Sequence, residues 1–207
     1  MGRSLGQWHV AEPVSLNIAV PAQGVSAVMI EDQVSPKRCG HTKGKAVVGR
    51  AEAFSRVQAA CDARDEGGQD ILILARTDAN TTDGIDEAIE RCQHFREIGA
   101  DITFLEAPTS LDEMTAYCER VDGPKLANML EGGATPVLPP AQLQDLGYTI
   151  AAYPLTLLSA SIKAMKASLA LLAEGRPTDD LLMPWPELRA EVGFDEYYKM
   201  EERYECK

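Results

Sequence analysis

Clustered positive charge is absent from this 207-residue chain, which has 20 lysines and arginines against 32 aspartates and glutamates and a formal net charge of −12. Nucleic-acid backbones are bound by concentrated basic surfaces, so we expect no nucleic-acid partner. The N-terminus lacks a basic and apolar signal, and no apolar run approaches the roughly 20 residues that span a bilayer. We therefore expect no membrane partner and a cytoplasmic protein.

Cysteine pairing is also missing. The five cysteines form no Cys-x-x-Cys pair and no short secreted spacing, which predicts free thiols in a reducing compartment. Cys61, Cys92 and Cys118 fall in stretches with helical periodicity, so we expect them to be packing residues. Cys39 differs, because the stretch around it, residues 31–41, reads Glu-Asp-Gln-Val-Ser-Pro-Lys-Arg-Cys-Gly-His. A thiol that lies among cationic groups, in a loop after a strand, is a candidate reactive group.

Short apolar runs and helical stretches alternate along the chain. Three helical stretches stand out: 85–95 and 158–172 have apolar residues at three- and four-residue intervals, and Ser110 with Glu113 has the form of a capping box that opens a helix. Gly175 and Pro177 are expected to close the long helix. The predicted strands occupy residues 25–30, 71–75, 102–105, 125–129 and 148–152.

Such alternation predicts parallel strands with crossover helices, in either an open doubly wound sheet or a (β/α)₈ barrel. The strands end in polar residues, which in a barrel meet at one mouth: Glu31, Cys39, Arg76, Glu106 and Asn128. No Gly-x-Gly-x-x-Gly or P-loop pattern favours the open sheet. The prediction is an α/β fold, a partial TIM-type (β/α)₈ barrel of about five β/α units plus C-terminal helices.

The expected organisation has three parts. Residues 1–24 form an irregular N-terminal segment, residues 25–175 the partial barrel, and residues 176–207 a helical tail for subunit packing. A complete barrel has eight units in about 250 residues, and residues 1–24 are too few for three more. The chain is therefore expected to be a shortened relative or a piece of a complete barrel.

The loop at 31–41 resembles the signature loop of the isocitrate lyase and phosphoenolpyruvate mutase superfamily, in particular its methylisocitrate lyase and 2,3-dimethylmalate lyase-like branch. The tail segment 192–198 is also similar, and the resemblance covers roughly residues 24–204. Four further segments match in order: Leu-Ala-Arg-Thr-Asp-Ala at 74–79, Phe-Leu-Glu-Ala-Pro at 104–108, Leu-Ala-Asn-Met-Leu-Glu-Gly-Gly at 126–133, and Ala-Ala-Tyr-Pro-Leu at 151–155.

The resemblance implies a Mg²⁺-dependent enzyme that cleaves a small 2-hydroxy or 2-oxo di- or tricarboxylate through a stabilised enolate. By similarity, Arg76 takes a substrate carboxylate bidentately. Glu106, placed with the catalytic residues, and Asn128 hold substrate oxygens or complete their hydrogen-bond network. Glu31 holds the metal only indirectly, through its water shell. The loop supplies the remaining residues. Cys39 acts as general acid, and Lys37 and His41 adjust the acidity of its thiol. Gly40 lets a backbone N–H come close to the ligand.

The chain departs from the family pattern in lacking the early segment whose aspartates ligate the metal, since no aspartate precedes Asp32. Two functional classes follow: an active lyase, and an inactive truncated homologue. Within the enzymes, an oxaloacetate hydrolase or decarboxylase is the alternative. The family's C-terminal helices pack across to a neighbouring subunit, and the similar tail predicts a homo-oligomer, a dimer or a tetramer.

Overall fold

The structure, a computed structural model, describes residues 24–38, 44–68 and 70–204. Strands and helices alternate through residue 155, as the sequence predicts. The strands are β1 (Ala27–Glu31), β2 (Leu72–Thr77), β3 (Ile102–Leu105), β4 (Leu126–Asn128) and β5 (Ile150–Ala152). The helices among them are α1 (Arg50–Glu66), α2 (Ile85–Ile98), α3 (Leu111–Arg120) and α4 (Pro140–Leu146), with a short 3₁₀ helix at Ala79–Thr81.

All of the strand pairs are parallel, and each strand lies beside the next one in the chain. In the first sheet Ala27 pairs with Leu72 and Leu74 pairs with Ile102. A second sheet pairs β4 with β5, and a single parallel bridge between Thr103 and Lys125 connects it to β3. Helices connect the successive strands, which confirms the predicted crossover pattern.

Side chains alternate between the two faces of the sheet. Ile73 and Ala75 of β2 pack with α1, whereas Leu74 points to the opposite face and contacts Ile102 and Phe104. The helix-covered face has the larger cores, one of which joins α2, α3 and α4 around Met114 and Tyr117. By the same alternation, Glu31 and Arg76 share the face of Leu74, opposite the helices.

Local signals explain the helix ends. The side chain of Ser110 accepts a hydrogen bond from the Glu113 N–H at 3.2 Å and caps α3, confirming the capping prediction. Helix α2 ends at Gly99, whose φ of 114° is a left-handed conformation that favours glycine. The predicted apolar side of α2 is buried at Ala88, Ile89, Cys92 and Phe95, but it also buries Arg91, which periodicity did not predict.

The chain divides into two compact units, residues 1–155 and 156–207. The second contains α5 (Thr156–Ala173), α6 (Trp185–Glu191), α7 (Phe194–Glu201) and a 3₁₀ helix at Asp179–Leu181. The predicted partition into 1–24, 25–175 and 176–207 stays a prediction, and residues 1–23 lie outside the described residues.

Helix α5 has the predicted apolar side, yet none of its residues is buried. Its 18 residues are long and apolar enough, by length and composition alone, to cross a membrane. The sequence analysis found no such run, and on this point it is corrected. One helix of this kind is weak evidence of a span, and this one carries Lys163 and Lys166.

Candidate active site

Four of the predicted site residues meet at the carboxyl ends of the strands. Arg76, at the end of β2, lies in the middle: its Nε is 3.6 Å from the Glu31 carboxylate and its Nη1 is 3.7 Å from that of Glu106. Asn128, at the end of β4, donates from Nδ2 to Glu106 at 3.3 Å. The placement follows from parallel strands, whose carboxyl ends share one edge of the sheet.

A fifth residue, Asp78, determines how Arg76 is oriented. The Asp78 carboxylate accepts from Arg76 Nε at 2.8 Å and from Nη2 at 3.1 Å, a paired contact along one edge of the guanidinium. The guanidinium carbon lies 5.1 Å from the centre of the Phe104 ring, a cation–π contact. The side of the guanidinium that bears Nη1 therefore faces Glu106, beyond hydrogen-bond distance.

The pKa values follow from this pairing. Burial alone lowers the pKa of Arg76, but the hydrogen bond to Asp78 and the charge of Glu106 outweigh it, and the pKa is raised. For Asp78, burial raises the pKa, and the Arg76 hydrogen bond and charge more than compensate, so the pKa is lowered. Both groups are held ionised at neutral pH.

The segment after β3 is held in an unusual conformation. Glu106 is buried, and its N–H donates to the Thr77 carbonyl at 3.0 Å. The next residue, Ala107, has a φ of 56° in the left-handed region, which is uncommon for a residue with a Cβ. Its carbonyl accepts from Asn80 Nδ2 at 2.9 Å. Backbone strain of this kind concentrates at functional sites.

Two lysines bring further positive charge. Lys37, with its side chain 70% exposed, pairs with Glu31 at 2.9 Å. Lys45, which the sequence analysis missed, has a buried side chain, with its Nζ 3.4 Å from Asp78 Oδ1. The loop residues Cys39, Gly40 and His41 lie outside the described residues, so their predicted roles stay predictions.

Asp32 holds Thr77 and Asp78 in place through hydrogen bonds. The sequence analysis did not identify it as a site residue. Its buried carboxylate accepts from the Thr77 hydroxyl at 2.6 Å, from the Asp78 N–H at 2.9 Å and from Arg91 Nη1 at 3.0 Å. Burial raises its pKa, although these three donors act in the opposite direction. One signal was available, because Asp32 directly follows Glu31 at a strand end. Arg91 had no clearer signal than its four-residue spacing from Glu87.

The described donors do not fit a directly ligated Mg²⁺ ion. Hard cations take several oxygen ligands, and no group of three possible ligands occurs in residues 24–38, 44–68 and 70–204. The three carboxylates of the site, Glu31, Asp78 and Glu106, each have a lysine or arginine within 4.0 Å. Only the predicted indirect role of Glu31 is compatible with this arrangement.

The site is a cluster of charged and amide side chains at the carboxyl ends of the parallel strands. A guanidinium held in a fixed orientation, with an amide beside it, suits the planar oxygens of a small organic acid. The chain belongs to the phosphoenolpyruvate phosphomutase family, which matches residues 9–173. The superfamily predicted from the loop and the four ordered segments is thereby confirmed.

Among its relatives, the chain is 40% identical over 184 residues to 2,3-dimethylmalate lyase of Eubacterium barkeri, covering 87% of this chain and 63% of the relative. It is 41% identical over 179 residues to 2-methylisocitrate lyase of Aeropyrum pernix, covering 85% and 57%. The chain thus spans about three fifths of the length of these relatives.

Solved structures agree with the fold. A crystal structure of 2,3-dimethylmalate lyase matches with a TM-score of 0.86 and 34% identity, covering 96% of this chain and 66% of that one. Oxaloacetate acetylhydrolase with a bound inhibitor matches with a TM-score of 0.86 and 27% identity, covering 97% and 68%. Phosphonopyruvate hydrolase with oxalate and Mg²⁺, at 24% identity and a TM-score of 0.78, covers 95% and 69% and shows the fold alone. The partial-barrel prediction is confirmed at the level of fold class.

Proposed function

We propose that this chain acts as a carbon–carbon lyase on a small 2-hydroxy or 2-oxo di- or tricarboxylate bound at the carboxyl ends of β1 to β4. The observation that carries the proposal is the fixed orientation of Arg76, which Asp78 holds through two hydrogen bonds of 2.8 and 3.1 Å. Two lyases are among the relatives that share about 40% of their residues with this chain.

The chemistry requires a stabilised electron pair. When the carbon–carbon bond of a 2-hydroxy acid is cleaved, the hydroxyl group loses its proton to a base and becomes the carbonyl of one product. The electron pair of the broken bond remains on the other product as an enolate or aci-carboxylate, which must be stabilised and then protonated. Arg76 can stabilise the negative charge through Nη1, because Asp78 occupies the opposite edge. Asn128 can donate to a substrate oxygen. The proposed proton donor is Cys39, with Lys37 and His41 beside it in sequence.

Oxaloacetate hydrolysis is the second candidate, favoured by the likeness to oxaloacetate acetylhydrolase. The same guanidinium would bind a carboxylate there, but water would enter the reaction as a substrate. An inactive homologue is the third, because the chain spans only part of its relatives.

A panel assay separates these candidates. The purified chain is incubated with Mg²⁺ and 2,3-dimethylmalate, 2-methylisocitrate or oxaloacetate, and the products are identified by chromatography. The lyase proposal expects cleavage of a hydroxy acid. Conversion of oxaloacetate to oxalate and acetate alone supports the hydrolase, whereas no turnover of any acid overturns the enzymatic proposal.

Arg76→Lys is the diagnostic variant, since it retains the charge and loses the planar fork. We expect kcat/KM to fall by about 100-fold, the scale of losing one charged donor in the transition state. Arg120→Lys is the matched control, because Arg120 forms an exposed ion pair with Asp86 on the helix-covered side. Equal activity of the two variants would remove Arg76 from the mechanism.

A further inference from the structure

The side-chain amide of Gln33 contacts the backbone of the loop that follows β1. Gln33 follows the strand-end residues Glu31 and Asp32, and it is buried. Its Oε1 accepts from the Arg38 N–H at 2.8 Å, and its Nε2 donates to the Arg38 carbonyl at 2.9 Å. One amide thus satisfies both backbone groups of Arg38, in the manner of a pair of bonds in a β-ladder.

The backbone next to this amide leads to the site. Gln33 directly follows Asp32, whose carboxylate accepts from the Asp78 N–H at 2.9 Å, and Asp78 orients Arg76. The loop backbone at Arg38 and the guanidinium of Arg76 are therefore connected through Gln33, Asp32 and Asp78. A buried amide that both donates and accepts is held in place, because breaking either bond leaves a desolvated polar group.

The backbone of Gln33 is itself anchored. Its carbonyl accepts from Arg56 Nη1 of α1 at 3.0 Å. Gln33 forms an antiparallel bridge with Val47, where the chain returns from the loop. The Val34 N–H donates to the Ala46 carbonyl and the Val48 N–H to the Asp32 carbonyl, each at 2.8 Å. The Gln33 side chain therefore projects from a fixed base.

We propose that Gln33 is a positioning residue that fixes the backbone at Arg38 relative to the Asp78–Arg76 pair. Arg38 directly precedes Cys39, the proposed proton donor, in the sequence. The catalytic consequence rests on the proposed function, whereas the structural part can be tested without any turnover.

Trypsin reports on the contact directly, since it cleaves after Lys37 and Arg38 and needs these bonds to leave their folded conformation. Gln33→Met retains the length of the side chain and removes its hydrogen bonds. We expect cleavage after residues 37 and 38 to accelerate by about tenfold or more, the effect of losing two modest hydrogen bonds. The rate is followed by mass spectrometry of the fragments, at a temperature where circular dichroism shows each variant folded.

Gln93→Met is the matched control, because Gln93 also donates to a backbone carbonyl, that of Arg120 at 2.8 Å, but between α2 and α3. Its cleavage after residues 37 and 38 should match the wild type. Equal rates in Gln33→Met and Gln93→Met would overturn the proposal. Should Gln33→Met fail to fold, hydrogen exchange in the wild-type chain decides: the Arg38 amide is expected to exchange at least tenfold more slowly than in an unfolded peptide, and an unprotected amide overturns the proposal.

If the chain cleaves an acid in the panel assay, Gln33→Met should also lower kcat by about tenfold or more and leave KM within a few-fold, since Arg76 and Asp78 are retained. A role in folding alone would leave kcat per folded molecule unchanged, and that result would overturn the positioning role. A chain without activity contradicts the proposed function, and the proteolysis result still stands.

Discussion

Arg76 shows how a residue that sequence can identify depends on neighbours that sequence did not reveal. Its position at a strand end and its type made it a candidate. Its orientation comes from Asp78, and the place of Asp78 comes from Asp32, which accepts its N–H. Asp78 stands in the same short segment as Arg76, but the contact between Asp32 and Asp78 joins residues 46 positions apart, so a motif carries no direct trace of it.

Thiol reactivity can be predicted residue by residue. Burial raises the pKa of Cys61 to about 11 and that of Cys118 to about 11, and raises that of the fully buried Cys92 further. Since the thiolate is the nucleophile, all three should react slowly with iodoacetamide at pH 8. Cys39 is expected to react fastest. Peptide mapping after timed alkylation tests this, with the urea-unfolded chain as the control for equal reactivity. Fast alkylation of Cys92 in the folded chain would contradict it.

Asp32→Ala should be strongly destabilising. The change leaves the Arg91 guanidinium buried without its carboxylate, and removing one partner of a buried pair costs about 3–5 kcal/mol. Urea denaturation followed by circular dichroism measures the free energy of unfolding. Asp62→Ala, on the exposed side of α1, is the control and should change it by less than about 0.5 kcal/mol. A loss below 1 kcal/mol for Asp32→Ala would show that the network adds little.

At the scale of elements, an ion cluster connects the start of α1 to α2. Arg50 Nε lies 3.0 Å from both oxygens of Glu87, and Arg50 also contacts Glu90. Glu87 in turn accepts from Arg91 at 2.8 Å, so the surface pair continues into the buried Asp32 network. The helix pair and the underside of the site are therefore electrostatically connected.

This cluster predicts a specific acid sensitivity. The hydrogen bond from Arg50 is the main cause that lowers the pKa of Glu87 to about 2. Because the folded pKa is below the unfolded value, the stabilisation is complete above about pH 4.5 and is lost as the pH falls towards 2. Glu87→Gln should flatten the fall of the thermal midpoint between pH 4.5 and 2. Glu119→Gln, an exposed change on α3, should leave that slope unchanged. Equal slopes in wild type and Glu87→Gln would contradict the assignment.

The strands were predictable because their apolar runs are short and each ends in a polar group. All five predicted runs overlap observed strands, although β2 and β4 begin one residue later than expected and β1 and β5 begin two residues later. The helix cap at Ser110 was also predictable, because it depends on residues close together in sequence. The buried positions of the Arg91 and Lys45 side chains were not predictable, because a buried charge is placed by its partner across the fold and not by a pattern along the chain.

At the scale of the whole molecule, charge compensation limits metal binding. The described carboxylates of the site pair with Lys37, Lys45 and Arg76, so an entering Mg²⁺ must compete with cations already in place. We expect calorimetric titration of this chain to show binding far weaker than that of full-length 2,3-dimethylmalate lyase, measured in parallel. Saturable micromolar binding would contradict this expectation.

Self-association is predicted from the second unit. Exposed apolar and aromatic side chains are costly to leave in water, and this unit exposes Leu157, Leu169, Trp185, Tyr197 and Tyr204 among others. Light scattering after size exclusion should show a dimer, a tetramer or aggregates. Deleting residues from 193 onward should shift any ordered oligomer to smaller species, whereas Glu119→Gln should not. A cooperative monomer of 22.5 kDa would contradict the prediction.

The order of the strands has a consequence for how the chain is made. Each strand contacts the strand that follows it in the sequence, β3 and β4 through the Thr103–Lys125 bridge, so each pairing waits only for the next unit to be made. Every pairing still closes across a helix, as between Ala27 and Leu72, and parallel pairing over such a distance is slow. On the ribosome, β1, α1 and β2 can join once all three have emerged, and each later unit adds to a surface that already exists. The described strands can therefore assemble in the order of synthesis.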